Sequence, residues 1–559
     1  MSPAVRRALG GLAGAAAMIA AITVVSRLLG FARWLVQAHA FGTGGIGGAY
    51  NAANTLPNVL FEVAAGGALA GAVVPLLALP IARHAKRDVD AIASGALGWT
   101  LLVLVPVGGL LAALSGRIAA VWPGDDLTGA QRDLLQMFVL VFSIQVPMYG
   151  VAVLLYAVLQ AHKRFFWPAF APVMSSVVVI ATYVVYAAAS GGERNDPAAA
   201  GDAALNVLAW GTTLGVAAMC LPMFVPVHRL GVRLRPTLRF PPGVGRRLAS
   251  LAFAGVGSLV AQQLALLVVL LTSFARGSKG TFSVFLWTQQ VYLLPYAVLV
   301  VPLATSTFPR MAARAAQGRH AEFARMASGT TRAVLAAATL GGAAVAAAAP
   351  AVADVFGSVA RDPSGVAGMA PALTAMIPGL LGFAVMFHAS RSLYALERGR
   401  AAVAANVAGW GTAAVATVVA AVVATPDGHD GAATLTALGV ASSIGMLVGG
   451  VVVVVALRRA GGAGVTSGFT RTLPVLLVGG AVGAVAGRWV CDEVAALVGH
   501  DVVSAIGAAA GGGVVAALVV AVAIAVGDRG TVRDLRAVES QPAPAGFAAS
   551  TPDESVSQS

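Results

Sequence analysis

Two arginines stand where a helix in lipid should carry none. Arg27 and Arg33, in the stretch SRLLGFAR, lie well inside an apolar run that begins near Gly10. An arginine at the centre of a membrane helix costs about 2.5–3.5 kcal/mol on insertion scales, and positions this deep are not easily rescued by snorkelling. They should therefore face a wet cavity or a charged partner. A planar guanidinium fork suits an anionic substrate, a phosphate above all; a structural ion pair is the plainer alternative. A six-residue offset puts the two about 120° apart on a straight helix, and Gly30 between them could permit a bend that turns both inward.

The next polar set is NAANTLPNVLFEVAAGG, residues 51–67. Asn51, Asn54 and Asn58 recur at helical spacing, so one face is polar. Pro57 removes a rung from the hydrogen-bond ladder and frees the carbonyl of Ala53. Glu62 is a lone acid in apolar surroundings, fit either to pair with Arg27 or Arg33 or to take a proton. Gly66, Gly67 and Gly71 suit close helix packing. Further on, WTQQVYLLP places Gln289 and Gln290 shortly before Pro295. Gln145, Gln262, Gln263, His388 and Arg391 are also polar residues in apolar runs, better read as packing hydrogen bonds than as ligands. The expected binding residues are Arg27, Arg33, Asn54, Asn58, Glu62 and Gln290, with Gly30, Pro57 and Pro295 as hinges.

These residues must be carried by membrane helices. The 559-residue chain is 58% hydrophobic and 11% charged, more apolar than soluble domains, and runs near the ~20 residues of a spanning helix recur throughout. The expected fold is an all-α polytopic membrane protein with fourteen spans: 11–41, 46–81, 90–115, 132–160, 165–190, 204–227, 247–275, 280–312, 328–352, 368–392, 401–424, 433–457, 472–490 and 503–527. The N-terminal run is read as an uncleaved first span rather than a signal peptide. Arginine and lysine collect in alternate loops, which sets both termini in the cytoplasm of a bacterial plasma membrane; Arg276 and Lys279 are the exceptions. That asymmetry also accounts for the net charge of +13 without nucleic acid.

Two weak self-similarities, GALAGAVVPLLA (67–78) with VPLATSTFPRMA (301–312), and YAVLQAHKR (156–164) with YALERGR (394–400), suggest two parallel six-helix halves. The expected units are lobes over 1–230 and 231–460, a helix pair over 461–528 and a disordered tail over 529–559. GTGGIG (42–47) follows a membrane helix, not a strand, and is a turn. Cys220 and Cys491 make neither a disulfide framework nor a metal site, and no Walker or nucleophile motif is present. A transporter without a bound cofactor and without direct ATP drive is expected.

The motifs SRLLGFAR, FGTG, ANTLPNVLFEVAAGGALAGAVVPLLA, AHKRFFWPAFAPV and LPYAVLVVPLATSTFPRMA resemble, in order, the MurJ/MviN family of the multidrug/oligosaccharidyl-lipid/polysaccharide exporter superfamily. The resemblance implies a lipid II flippase working by alternating access, coupled to the membrane potential or to a coupling ion. It implies a cationic central cavity for the diphosphate and sugars, with Arg27 and Arg33 in it, and a groove at the last two spans for the polyprenyl tail. Its implied partners are lipid II or a related polyprenyl-diphosphate glycan, membrane lipids and cell-wall synthesis proteins. Four positions at three places depart from the pattern: Trp34 stands in place of an acid, Phe61 and Glu62 in place of paired arginines, and Gln290 in place of an arginine. A paralogue for another polyprenyl-linked glycan, a drug exporter and a non-transporting assembly scaffold are the alternatives.

Overall fold

The computed structural model describes residues 18, 22, 25–63, 67–123, 127–192, 194–253, 256–360, 363–499, 502–531 and 533. No strand occurs among them. Residues 25–41 form α1. Then follow α2 (Gly45–Phe61), α3 (Gly67–Ala82), α4 (Lys86–Ala120), α5 (Gly129–Phe142), α6 (Gln145–Ala161), α7 (Phe166–Ala189), α8 (Asp202–Cys220) and the short α9 (Phe224–Arg229). After an extended segment come α10 (Val244–Phe253), α11 (Val256–Arg276), α12 (Thr281–Pro295), α13 (Val301–Ala316), α14 (His320–Val359), α15 (Met369–Ala395), α16 (Gly399–Ala424), α17 (Gly431–Gly461), α18 (Phe469–Val498) and α19 (Val502–Gly527).

Among the described residues, twelve helical stretches are long and apolar enough to cross a membrane. They fall one for one on the expected spans from 90–115 onward. Spans 11–41 and 46–81 are described in part, as α1, α2 and α3. Most of the N-terminal run, and the tail from 534, lie outside the described residues. Helices dominate because lipid offers no partner for backbone N–H and C=O groups, so each span satisfies its own. Two helices outrun their apolar stretches: α4 has 35 residues and α14 has 40. Hydropathy stops where charges begin, but Ala, Leu, Arg and Glu carry a helix on into water.

Helices α2 to α8 pack on one another, as do α11 to α17, while α18 and α19 pair and lie against α14. Small residues set these contacts. A Cβ on Gly409 would sit 3.0 Å from the Cα of Gly449, and one on Gly487 would sit 2.4 Å from the carbonyl of Gly512. Such close approach replaces the hydrophobic drive that lipid removes. The two groups meet through contacts of α2 with α11 and α12.

One span leaves α geometry midway. α12 stops at Pro295, residues Tyr296–Val300 form a π-helical turn, and α13 resumes at Val301. Glu62 and Val63 are likewise in a π turn, beyond α2 and before α3. The stretches 67–78 and 301–312, which share a sequence pattern, therefore lie in helices that follow a π turn.

Candidate functional site

Helices α1, α2, α6, α7 and α12 surround a cavity of about 600 Å³. Arg27 and Arg33 line it from α1, Asn54 and Asn58 from α2, and Gln290 from α12. Arg27 is exposed and Arg33 half-buried, and neither forms an ion pair among the described residues. The guanidinium of Arg33 lies 5.5 Å from the ring centroid of Trp34. A ring face attracts the cation without occupying its hydrogen-bond donors in the way an acid would. The two arginines thus present unneutralised donors to one polar space.

Asn58 is fixed by its amide, which donates to the carbonyl of Asn54 at 2.7 Å. That bond spans one helical turn and leaves the Asn58 side-chain carbonyl to accept. Tyr149, Ser175 and Ser176 also line the cavity, together with Pro168 and Pro172. The sequence reading missed these; only the two prolines early in α7 hinted at a distinctive segment.

The residues expected as hinges differ in surroundings. The helix runs unbroken through Gly30, which lines the cavity, and a Cβ there would meet nothing within 4 Å. Gly30 keeps the cavity wide. Pro57 is buried within a continuous α2 and does not line the cavity. Pro295 sits where α12 gives way to the π turn, its ring 2.4 Å from the place a Gly341 Cβ would take. Glu62 also lies outside the cavity lining, and its carboxylate pairs with neither arginine. It sits one residue past the end of α2, where its N–H closes the helix onto Asn58 and Val59.

One end of the cleft is sealed. The Gln37 amide donates to the Asn51 side-chain carbonyl at 3.1 Å, the Asn51 amide to the Ser283 hydroxyl at 2.9 Å, and that hydroxyl to the Thr43 carbonyl at 3.2 Å. All four residues are buried, and the chain ties α1 and α2 to α12. Backbone contact completes the closure. A Cβ on Gly48 would lie 2.6 Å from the Lys279 carbonyl, and one on Gly280 would lie 2.5 Å from the Thr43 hydroxyl. Behind this seal, Phe41, Tyr50, Phe138, Phe142 and Tyr183 interlock through edge-on and stacked rings, and the Tyr50 hydroxyl bonds those of Tyr183 and Thr212 at 3.0 Å.

Of Arg276 and Lys279, which broke the charge pattern, Arg276 has a structural partner. The Arg276 guanidinium donates to the Thr425 carbonyl at 3.3 Å, and the Arg276 carbonyl accepts from Asp430 N–H. The remaining polar residues are spread out. Gln145 donates to Thr213 at 3.0 Å, within the α2–α8 group. Gln262, Gln263 and Gln289 line a separate space of about 80 Å³. His388 is buried in α15. Arg391 lies 3.9 Å over the Phe387 ring, which packs edge-on against Tyr296.

A sequence model of the family described as Lipid II flippase MurJ matches residues 37–502. The chain belongs to this family. Arg27 and Arg33 lie just ahead of the matched stretch. A probable lipid II flippase MurJ of Rhizobium meliloti is 28% identical over 309 residues, 54% of this chain and 55% of that protein. A lipid II flippase MurJ of Burkholderia cenocepacia is 30% identical over 304 residues, covering 52% and 55%. The chain thus spans about half the length of the curated relatives it matches. A solved lipid II flippase MurJ in an inward closed conformation superposes with a TM-score of 0.69 at 16% identity, over 91% of this chain and 98% of that one. An inward-facing multidrug transporter of the MATE family superposes with a TM-score of 0.65 at 15% identity, over 81% and 99%. At these identities the superpositions establish the shared fold.

Proposed function

We propose that this protein is a flippase for the lipid-linked peptidoglycan precursor lipid II, a transporter and not an enzyme. Membership of the MurJ family supports this, but the observation that carries it is local. Arg27 and Arg33 face one cavity beside Asn54, Asn58 and Gln290, with no acid among the lining residues. Two guanidinium forks lining one cavity, with no ion-pair partner among the described residues, suit a diphosphate, and the amides and hydroxyls around them suit sugars.

The helices α1–α9 and α10–α17 would act as two lobes that rock about this site, and α18 with α19 would receive the polyprenyl tail. Both termini would be cytoplasmic, so that the seal at Gly48 and Gly280 faces outward and the cavity loads from the inner leaflet. Membrane potential is a fitting drive, because each charge crossing it is worth about 2.3 kcal/mol per 100 mV. Proteins of cell-wall synthesis would be the partners that use the delivered lipid. The test is transport of labelled lipid II in vesicles holding the purified protein: head groups should become accessible outside with the wild type and stay inside with Arg33→Ala. Gln290 on the cavity wall, a position where the family pattern has an arginine, favours a second reading, in which another polyprenyl-linked glycan is carried. Preferential transport of such a glycan over lipid II would establish it.

A further inference from the structure

A second cavity, about 1130 Å³, shares no lining residue with the arginine site. It lies among α4, α6, α9 and the segment that follows α9. Its body is apolar, formed by Leu101, Val105, Met148, Val151 and Phe224. Val105 and Phe224 are 52% and 37% exposed, so the cavity opens sideways from the bundle onto the hydrocarbon. Its other end is basic, with Arg229, Arg233 and Arg235 in the lining.

The construction of that basic end points to a ligand. Residues 232–237 have no regular secondary structure, yet they are pinned along α4. Arg233 N–H donates to the Asp90 carboxylate at 2.9 Å, Arg235 N–H to the Ser94 hydroxyl at 3.0 Å, and Thr237 N–H to the Ser94 carbonyl at 3.3 Å. The Trp99 indole donates to the Leu238 carbonyl at 3.1 Å. The backbone is thus held by α4, and Asp90, the near acid, accepts from the Arg233 N–H and forms no ion pair with a guanidinium among the described residues. The guanidinium groups of Arg229, Arg233 and Arg235 are exposed and have no ion-pair partner among the described residues. Three unneutralised cations at the mouth of an apolar groove complement an amphiphile with an anionic head.

We propose that this cavity binds an anionic glycerophospholipid of the surrounding bilayer, with an acyl chain between α4 and α6 and its phosphate against Arg229, Arg233 and Arg235. The segment it touches is the connection between the α1–α9 and α10–α17 lobes. A bound lipid would brace that connection against α4, making transport responsive to the anionic lipid content of the membrane. Basic segments at membrane surfaces are drawn to such lipids, and the groove adds a place for the chain.

The test is native mass spectrometry of the full-length protein in detergent, with phosphatidylglycerol or phosphatidylcholine of matched acyl chains. The wild type should retain phosphatidylglycerol with about tenfold preference, a difference well within the reach of three charge contacts. Combined Arg229→Gln, Arg233→Gln and Arg235→Gln should remove the preference. Val151→Trp, which fills the groove and keeps the charges, should reduce phosphatidylglycerol binding; it decides the matter alone if the triple variant does not fold. Equal retention of the two lipids by the wild type would overturn the proposal. So would unchanged binding by Val151→Trp, or displacement of the lipid by inorganic phosphate alone. The measurement does not use transport, so it stands or falls separately from the flippase reading.

Discussion

The side-chain amide of Asn51 donates to the hydroxyl of Ser283 at 2.9 Å, joining α2 to α12 at the sealed end of the cleft. Asn54 and Asn58, further along the same helix, line the cavity. One polar stripe therefore closes the molecule at one end and meets the occupant at the other. Opening toward the sealed side must break the Asn51–Ser283 bond.

Asn51→Leu should therefore shift the molecule toward outward opening. It leaves the buried Gln37 amide without its acceptor and removes the donor to the Ser283 hydroxyl, which keeps only its bond to the Thr43 carbonyl; an unsatisfied buried amide costs about 1–3 kcal/mol in the closed form. The probe is a Thr43→Cys variant labelled with a membrane-impermeant maleimide, since Thr43 is 1% exposed when the seal is shut. Labelling should become several-fold faster with Asn51→Leu added; an unchanged rate would mean that the bond does not hold the seal.

Gly30→Leu should block transport without harming the fold. A side chain there would enter open cavity, with nothing within 4 Å of its Cβ, and a glycine in a helix interior costs roughly 1 kcal/mol against better helix formers. Thermal unfolding should be unchanged or raised while lipid transport falls at least about tenfold. A variant that is stable and fully active would show that the occupant does not pass Gly30.

Arg27→Lys should weaken transport and Arg33→Ala should abolish it, both at normal membrane levels. A lysine keeps the charge of Arg27 but loses the planar fork that grips two phosphate oxygens. Initial rates against substrate concentration should show weaker binding for Arg27→Lys. Full activity of both variants would remove the phosphate site from the account.

Asp528, just past α19, makes the C-terminal end of that helix sensitive to acid. It is 3% exposed, and burial works to raise its carboxyl; hydrogen bonds from the Thr472 and Thr531 hydroxyls and the Thr531 N–H, with the Arg332 charge, outweigh that and hold it below its usual value. A carboxyl lowered on folding contributes stability at neutral pH, and loses it as pH falls through the folded-state value. Asp528→Asn should lower the thermal midpoint at pH 7 by several degrees, and the gap from wild type should close below about pH 4. A gap that persists in acid would assign the loss to packing rather than charge.

Much of this architecture is legible in the sequence because lipid imposes a simple rule: apolar runs of fixed length become helices. Arg27, Arg33, Asn54, Asn58 and Gln290 stood out because a polar group in such a run demands a reason. Tyr149, Ser175 and Ser176 did not, since tyrosine and serine are ordinary in spanning helices and only packing decides which way they face. Glu62 shows the same limit from the other side. Its charge suggested a partner for the arginines, but the π turn at 62–63 sets it beyond α2 and outside the cavity lining. Asn51 reads as one with Asn54 and Asn58 by spacing, and only the approach of α12 makes it a seal residue.

The central claim is that the Arg27–Arg33 cavity carries lipid II across the membrane. The direct measurement is the amount of externally accessible lipid II in bacteria depleted of their own flippase and supplied with this protein. Restored exposure with the wild type, lost with Arg33→Ala at equal membrane levels, is the predicted result. No restoration by a wild-type protein present in the membrane would contradict the account.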